Sequence, residues 1–323
     1  MTSARQRMGV LRAGSRMWSP MGVLPQAEFC GPLHAPYLKE CATPTAQYAL
    51  GGMSMALPES VDPQVWIERW DRMQEACLLD RQERLELMAD LVAVSQPEDA
   101  VVVDLGCGTG SLGLAVLERM PGAAVVGIDV DPTLLPLAEA RLEPYGERAR
   151  VRQADLRQAS WPGQVGQGVR AVVSATALHW LDRAELARVY RQAAGLLEPG
   201  GILLNADPVR SEHPDIHRYR AEWEHELLGE SEAAWRSFWD GYLAVLGPEA
   251  ARERQRALKA WRGDDEGYPL EWHFEAMRAS GLGGLDCFWR RGPDAVIGGI
   301  KQPDAAGEER TRKRMKAKPT PAW

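Results

Sequence analysis

The chain has 323 residues but only five cysteines, Cys30, Cys41, Cys77, Cys107 and Cys287, and no two are spaced as CxxC. An odd, scattered set excludes a disulfide framework and zinc-finger spacing, and makes a reducing cytoplasm the expected compartment. Long apolar runs are also missing. None approaches the roughly 18–20 residues that span a bilayer, and the basic N-terminus lacks the continuous apolar stretch of a signal peptide, so no membrane role is expected. There is no basic excess: 38 Lys and Arg against 45 Asp and Glu leave a net charge of −7. That balance disfavours indiscriminate binding to nucleic-acid phosphates. Histidine is sparse, at six residues. His213, His217 and His225 fall near one another, but Pro214 interrupts a shared helical face, and no metal site is expected. No internal repeat is present.

What is present fits a globular enzyme-sized chain. Hydrophobic residues make up 45% and charged residues 26%, enough for a sizeable core beneath a charged surface. Residues 1–60 lack periodicity and read as a disordered extension. Met53 and Met55 stand just before the first helix signal, so the stretch ahead of them reads as an over-long start. Asp62-Pro63 is an N-cap followed by proline at the first helical position, and predicts helices over 63–78 and 80–94. Strands alternating with helices then follow. The strands are expected at 101–103, 124–128, 151–154, 171–174 and 202–204. Helices are expected to end near Met120, Leu142 and Leu197, the last broken by Pro199-Gly200-Gly201. Residues 210–265 interrupt the rhythm as a helical insertion. A helix over 270–280 and strands over 285–290 and 295–301 close the domain. Alternation of this kind predicts an α/β, Rossmann-like, mostly parallel sheet with helices on both faces. The basic residues of 302–323 read as a solvated, disordered tail.

The chemistry concentrates in Asp104-Leu105-Gly106-Cys107-Gly108-Thr109-Gly110, which follows a strand and opens a helix. Glycines belong where the backbone turns sharply or a ligand approaches it closely. A dinucleotide fingerprint needs GxGxxG with amides aimed at a pyrophosphate. Here the third glycine comes one residue early and Asp104 precedes the loop. A carboxylate there suits a ligand with an ammonium group and no phosphate. Asp129 closes the second strand, where a carboxylate accepts both hydroxyls of a ribose. Asp131 reads as a helix cap. Asp155, after the third strand, is placed either to accept from an adenine amino group or to sit solvated in its loop.

These segments resemble the class I S-adenosylmethionine-dependent methyltransferases. DLGCGTG is similar to their first motif, GIDVDP to the second, QADL to the third, SATALHWL to the fourth-strand segment and LLEPGGILL to the turn into the fifth strand. Order and spacing agree over about residues 98–207. Trp70-Asp71-Arg72-Met73, Ala177-Leu178-His179-Trp180 and Cys287-Phe288-Trp289-Arg290 further resemble a small-molecule branch, the trans-aconitate-type methyltransferases. The resemblance implies a seven-stranded sheet with its last strand antiparallel. It implies S-adenosylmethionine as cofactor, its methionine end held by Asp104, Gly106, Cys107, Gly108 and Gly110, its ribose by Asp129 beside Val130, and its adenine by Asp155 and Leu156. Ser174, Ala175 and Thr176 would line the pocket near the sulfonium.

The implied reaction is in-line displacement on a small-molecule acceptor, at oxygen by preference, with the protein aligning reactants and excluding water. His179 is placed either to deprotonate the acceptor or to bind it and hold the loop. Trp70, Trp180, Trp223 and Trp235 are the candidate acceptor contacts, the last two from an insertion read as a cap over the site. Three other readings compete. A nicotinamide oxidoreductase is opposed by the early third glycine and Asp104. A non-catalytic methyltransferase-like module is compatible with the intact loop. An enzyme acting on protein or RNA is opposed by the acidic balance and the lack of an appended binding domain.

Overall fold

The computed structural model describes residues 55–303, apart from 229, 230, 260, 261 and 265. Most of the expected N-terminal extension and of the basic tail lies outside the described residues. Among the described residues no helix is long and apolar enough to cross a membrane.

The polypeptide begins with two helices, α1 (Pro63–Cys77) and α2 (Arg81–Ser95). Asp62 caps α1 through a 2.9 Å bond from the Gln64 amide, with Pro63 in the first turn, as the sequence predicts. Parallel strands β1 (Val101–Leu105), β2 (Ala124–Asp129), β3 (Ala149–Gln153) and β4 (Val169–Ala175) follow. They are joined by α3 (Ser111–Arg119) and α4 (Leu135–Leu142) and by short 3-10 turns. Helix α5 (Arg183–Leu196) starts with a full capping box from Asp182 and Glu185. Strand β5 (Leu197–Arg210) is much longer than the apolar core of 202–204 suggested. Its N-terminal part already pairs with β4 at Leu197, and the Pro199-Gly200-Gly201 segment is a bulge before pairing resumes at Ile202. The insertion folds as α6 (Pro214–Leu228), α7 (Ser231–Leu246) and α8 (Pro248–Leu258). The two-residue β6 (Tyr268–Pro269), α9 (Leu270–Ala279), β7 (Leu282–Arg291) and β8 (Asp294–Lys301) complete the domain.

The sheet order is β3-β2-β1-β4-β5-β8-β7, with β6 paired on the end of β5. Strand β8 is wedged antiparallel between β5 and β7. The expected seven strands with the last one reversed are therefore present, plus the two-residue β6. Side chains alternate across each strand. Val102, Ala171, Val173 and Leu204 face α2 and α3 in one core layer. Val103, Leu105, Val172 and Leu203 face α5 and α9 in the other.

A third, aromatic cluster joins α1, α4 and α7: Trp66, Trp70, Leu137, Phe238, Trp239 and Tyr242. It seats the insertion on the sheet domain beside the C-terminal ends of β1 and β2. Removing a large aromatic from such a cluster costs about 3–5 kcal/mol. Trp66, 6% exposed and against Tyr242 at 4.9 Å between ring centroids, is expected to fall in that range on Trp66→Ala. Trp223, 43% exposed on α6, is expected to stay within roughly 0.5 kcal/mol of wild type. Denaturant unfolding of the two variants checks the contrast.

Candidate active site

The turn from β1 into α3 is held by its own amides. Gly106 N–H and Cys107 N–H both donate to the Ile128 carbonyl, at 2.7 and 3.0 Å, and Gly110 N–H donates to the Cys107 carbonyl at 2.7 Å. Gly108 N–H donates to Asp129 Oδ2 at 2.7 Å. Gly106, Gly108 and Gly110 sit at φ of +69°, +54° and +80°, a region open to glycine at little cost. A side chain at Gly106 would also come within 2.3 Å of Ala177 Cβ on the neighbouring loop.

These four amides are spent inside the protein, so the loop offers none of them to a diphosphate. The groups that do face the ligand space are acids. Asp104 is 1% exposed and accepts from the Gly113 amide at 3.1 Å. Burial pushes its carboxyl up to about 7, helped by the nearby charge of Asp129. Burial likewise pushes Asp129 up to about 6, against the lowering effect of the amides it accepts. Asp129 Oδ1 takes the Asp131 amide at 2.8 Å, yet a carboxylate has about four acceptor sites and can still receive two hydroxyls. Buried Asp104 and partly buried Asp129 form a site that repels phosphate and favours a cation, which fits the sulfonium, ammonium and ribose of S-adenosylmethionine. Burial raises the Cys107 thiol well above its ordinary range, which removes it as a nucleophile.

One cavity runs along the C-terminal ends of the strands. Asp104, Gly106, Cys107, Gly108, Asp129, Val130 and Leu156 line one end. Ala175, Thr176, His179, Trp180, Ala206 and Pro208 line the side towards β5, with Trp70 and Trp235 also in the wall. Neighbouring strands are about 4.8 Å apart. The β2 and β5 ends, three strand steps apart in the sheet order, are thus separated by roughly 14 Å. His179 lies in the turn Leu178–Trp180 after β4. Its Nδ1 is 2.7 Å from Asp207 Oδ1, and its backbone amide donates to Asp207 Oδ2 at 3.1 Å.

Four expected site residues fall outside the wall. Gly110 starts α3 as its left-handed cap and turns towards Leu142 of α4. Ser174 is 1% exposed and donates to the Leu105 carbonyl at 2.6 Å, bridging β4 to β1. Asp155 pairs with Arg157 at 2.9 Å, and Arg157 also binds the Ala257 and Lys259 carbonyls at the end of α8. Trp223 lies exposed on α6, its ring under Arg291 at 5.8 Å. Asp131 does not cap α4, which begins at Leu135 with Leu134 as its N-cap and no side-chain cap bond. It accepts from the Thr133 amide and hydroxyl and binds Arg254 Nε of α8 at 2.8 Å.

Sequence reasoning missed Arg81, Arg84, Arg254 and Asp294 in the wall, and Asp207 behind it. Arg81 is tied to Asp71 at 3.2 Å and to Ser111 at 2.7 Å. Arg84 is 3.4 Å from Asp294. Only Asp207 carried a readable signal, as a polar residue at the carboxyl end of a central strand.

Residues 102–201 match the model of a methyltransferase domain. A trans-aconitate 2-methyltransferase of Azoarcus sp. (strain BH72) is 31% identical over 224 residues, covering 66% of this chain and 80% of that protein. A carboxy-S-adenosyl-L-methionine synthase of Wolinella succinogenes is 31% identical over 183 residues, covering 54% and 73%. Among solved structures, an O-methyltransferase family 2 protein of Planctomyces limnophilus, in complex with apigenin, is similar at TM-score 0.46 and 19% identity, covering 75% of this chain and 63% of its own. The chain belongs to the class I S-adenosylmethionine-dependent methyltransferases. Within them it is similar to the trans-aconitate type, and its cofactor is S-adenosylmethionine.

The raised acids give a pH dependence with a defined sign. The folded, ligand-free protein keeps protons on Asp104 and Asp129 up to about 7 and about 6, whereas an unfolded chain releases them near ~3.9. Stability of the free protein therefore falls as pH rises through that window. A bound cation favours the ionised acids, so cofactor binding is expected to release protons near pH ~6 and to tighten as pH rises towards neutrality. Calorimetry in two buffers of different ionisation heat measures this. Equal heats and a flat affinity would contradict it.

Proposed function

We propose that the protein transfers a methyl group from S-adenosylmethionine to an oxygen atom of a small-molecule acceptor held beside His179. The observation that carries this reading is the single cavity, with the acid-lined glycine turn at one end and His179, Trp180 and Pro208 towards the other. In this reading Asp129 accepts the ribose hydroxyls, Asp104 faces the ammonium end, and Val130 and Leu156 pack on the adenine. When bound, the cofactor supplies an electrophilic methyl group on a good leaving group. The chain's own part is to align the acceptor oxygen in line with that methyl group and to keep water out. Trp70, Trp235 and Trp239 form an apolar flank suited to that exclusion.

The acceptor named for the Azoarcus relative is a polycarboxylate. In this chain the arginines of the cavity wall have acidic partners: Arg84 pairs with Asp294 and Arg254 with Asp131, both buried, while Arg81 shares the partly exposed Asp71 with Arg141. Recruiting Arg84 or Arg254 for a polyanion means breaking a buried pair, which costs on the order of 3–5 kcal/mol. That favours an acceptor of lower charge.

Two measurements test the reading. S-adenosylmethionine and S-adenosylhomocysteine are expected to bind in calorimetric titration and NAD not to, with Asp129→Ala weakening both by about 100-fold, or ~2.7 kcal/mol. Trp235→Ala is expected to raise the acceptor KM while the cofactor Kd stays unchanged, and Trp223→Ala to change neither. NAD binding, or unchanged affinity in Asp129→Ala, would contradict the assignment.

A further inference from the structure

We infer that His179 and Asp207 act as a proton-accepting pair, which makes the acceptor a hydroxyl compound, a phenol, enol or alcohol, and not a carboxylate. This rests on the methyl-transfer reading above and narrows it.

The geometry is that of an oriented base. Asp207 lies near the end of β5, opposite Ala295 of β8, and is 1% exposed. Both of its oxygens are used on His179, one on the ring and one on the backbone amide. The carboxylate only accepts, so the ring donates from Nδ1. Neutral His179 is thereby fixed in the tautomer whose Nε2 carries a lone pair. His179 is part of the cavity wall, and its ring is backed by Trp180, centroids 4.9 Å apart. Its backbone is clamped from outside as well. The Asp264 amide donates to the His179 carbonyl at 2.9 Å, and any side chain at Gly263 would overlap that carbonyl.

The charged groups on the surrounding elements are accounted for. Arg210 of β5 and Asp264 pair with each other at 3.3 Å. Asp182 caps α5, and Arg84 and Asp294 pair across the wall. Behind Asp207, Tyr190 is bonded to His273 Nδ1 at 2.8 Å and to Asn205 at 3.2 Å. Burial pushes His273 down to about 4, so it stays neutral near pH 7 and brings no charge to compete for Asp207.

A carboxylic acid has a pKa near ~4 and is ionised at neutral pH, so it needs no base, and the lone pair at Nε2 would repel it. A hydroxyl is a donor and matches that lone pair. In the step that follows, the acceptor O–H proton passes to His179 Nε2. The oxygen pair forms the new O–CH3 bond as the CH3–S bond breaks, and that bond's electrons remain on sulfur in the neutral thioether. The imidazolium, stabilised by Asp207, then returns its proton to solvent. Asp207 is a positioning residue, and His179 the group that touches the acceptor.

The test uses the full chain with His179→Gln and Asp207→Asn, and a panel of catechols, simple phenols, alcohols, trans-aconitate and related carboxylates. Wild type is expected to methylate one or more hydroxyl compounds and none of the carboxylates. His179→Gln should lower kcat by about 100-fold or more and abolish the acid limb of its pH profile, with the cofactor Kd unchanged in both variants. In the free protein, nitrogen NMR of labelled histidine should show His179 protonated at Nδ1 and not at Nε2, with that preference lost in Asp207→Asn. An Nε2-protonated tautomer, turnover of carboxylates in place of hydroxyls, or an unchanged kcat and pH profile in His179→Gln would each overturn the inference. Failure of the wild type to bind S-adenosylmethionine would instead strike the underlying reading.

Discussion

The carboxylate of Asp129 is the fastening on which the site depends. One oxygen holds Gly108 at the crest of the β1–α3 turn and the other holds the amide of Asp131. The turn is thus bound to the end of β2 through this one side chain. The fastening continues outwards. Asp131 binds Arg254 of α8, and the Arg254 guanidinium lies 3.6 Å from the centre of the Trp239 ring on α7. Tyr242 of α7 donates to the Thr133 carbonyl at 2.7 Å. Asp129, the glycine turn and the helical insertion are therefore one mechanical unit. Removal of the Asp129 carboxyl group would slacken all three.

The same arrangement sets the electrostatics. A parallel sheet leaves a crevice at the carboxyl ends of its strands, and this chain fills one end of that crevice with buried acids. Their desolvation cost is relieved by protonation in the free protein and offset by a ligand cation in the complex. Towards β5, Arg84 is paired with Asp294, and Asp207 accepts from both the ring and the backbone amide of His179. The cavity thus has one end lined by acids whose ionised form a cationic donor favours.

Much of this was legible in the sequence, and the reason is locality. The glycine turn, Asp129 and the strand–helix alternation are carried by short segments whose spacing encodes their geometry, and the reversed last strand came with the family resemblance. What escaped depends on contacts across long stretches of chain. Asp131 reads as a cap because its partner Arg254 is 123 residues away. Asp155 reads either as an adenine contact or as a solvated loop residue, and its pairing with Arg157, two residues on, is not visible in the sequence. Trp223 and Trp235 look alike in sequence, yet the faces of α6 and α7 on which they lie send one to solvent and the other to the cavity wall. His179 was visible as the one histidine near the motifs. Its orienting partner Asp207 was not, since only the pairing of β4 and β5 brings them together.

The most direct test of the account is a crystal structure of the protein with S-adenosylhomocysteine. The ribose hydroxyls are expected on Asp129, the adenine against Val130 and Leu156, and the sulfur turned towards His179. A ligand lying elsewhere, or one whose ribose ignores Asp129 or whose sulfur points away from His179, would contradict it.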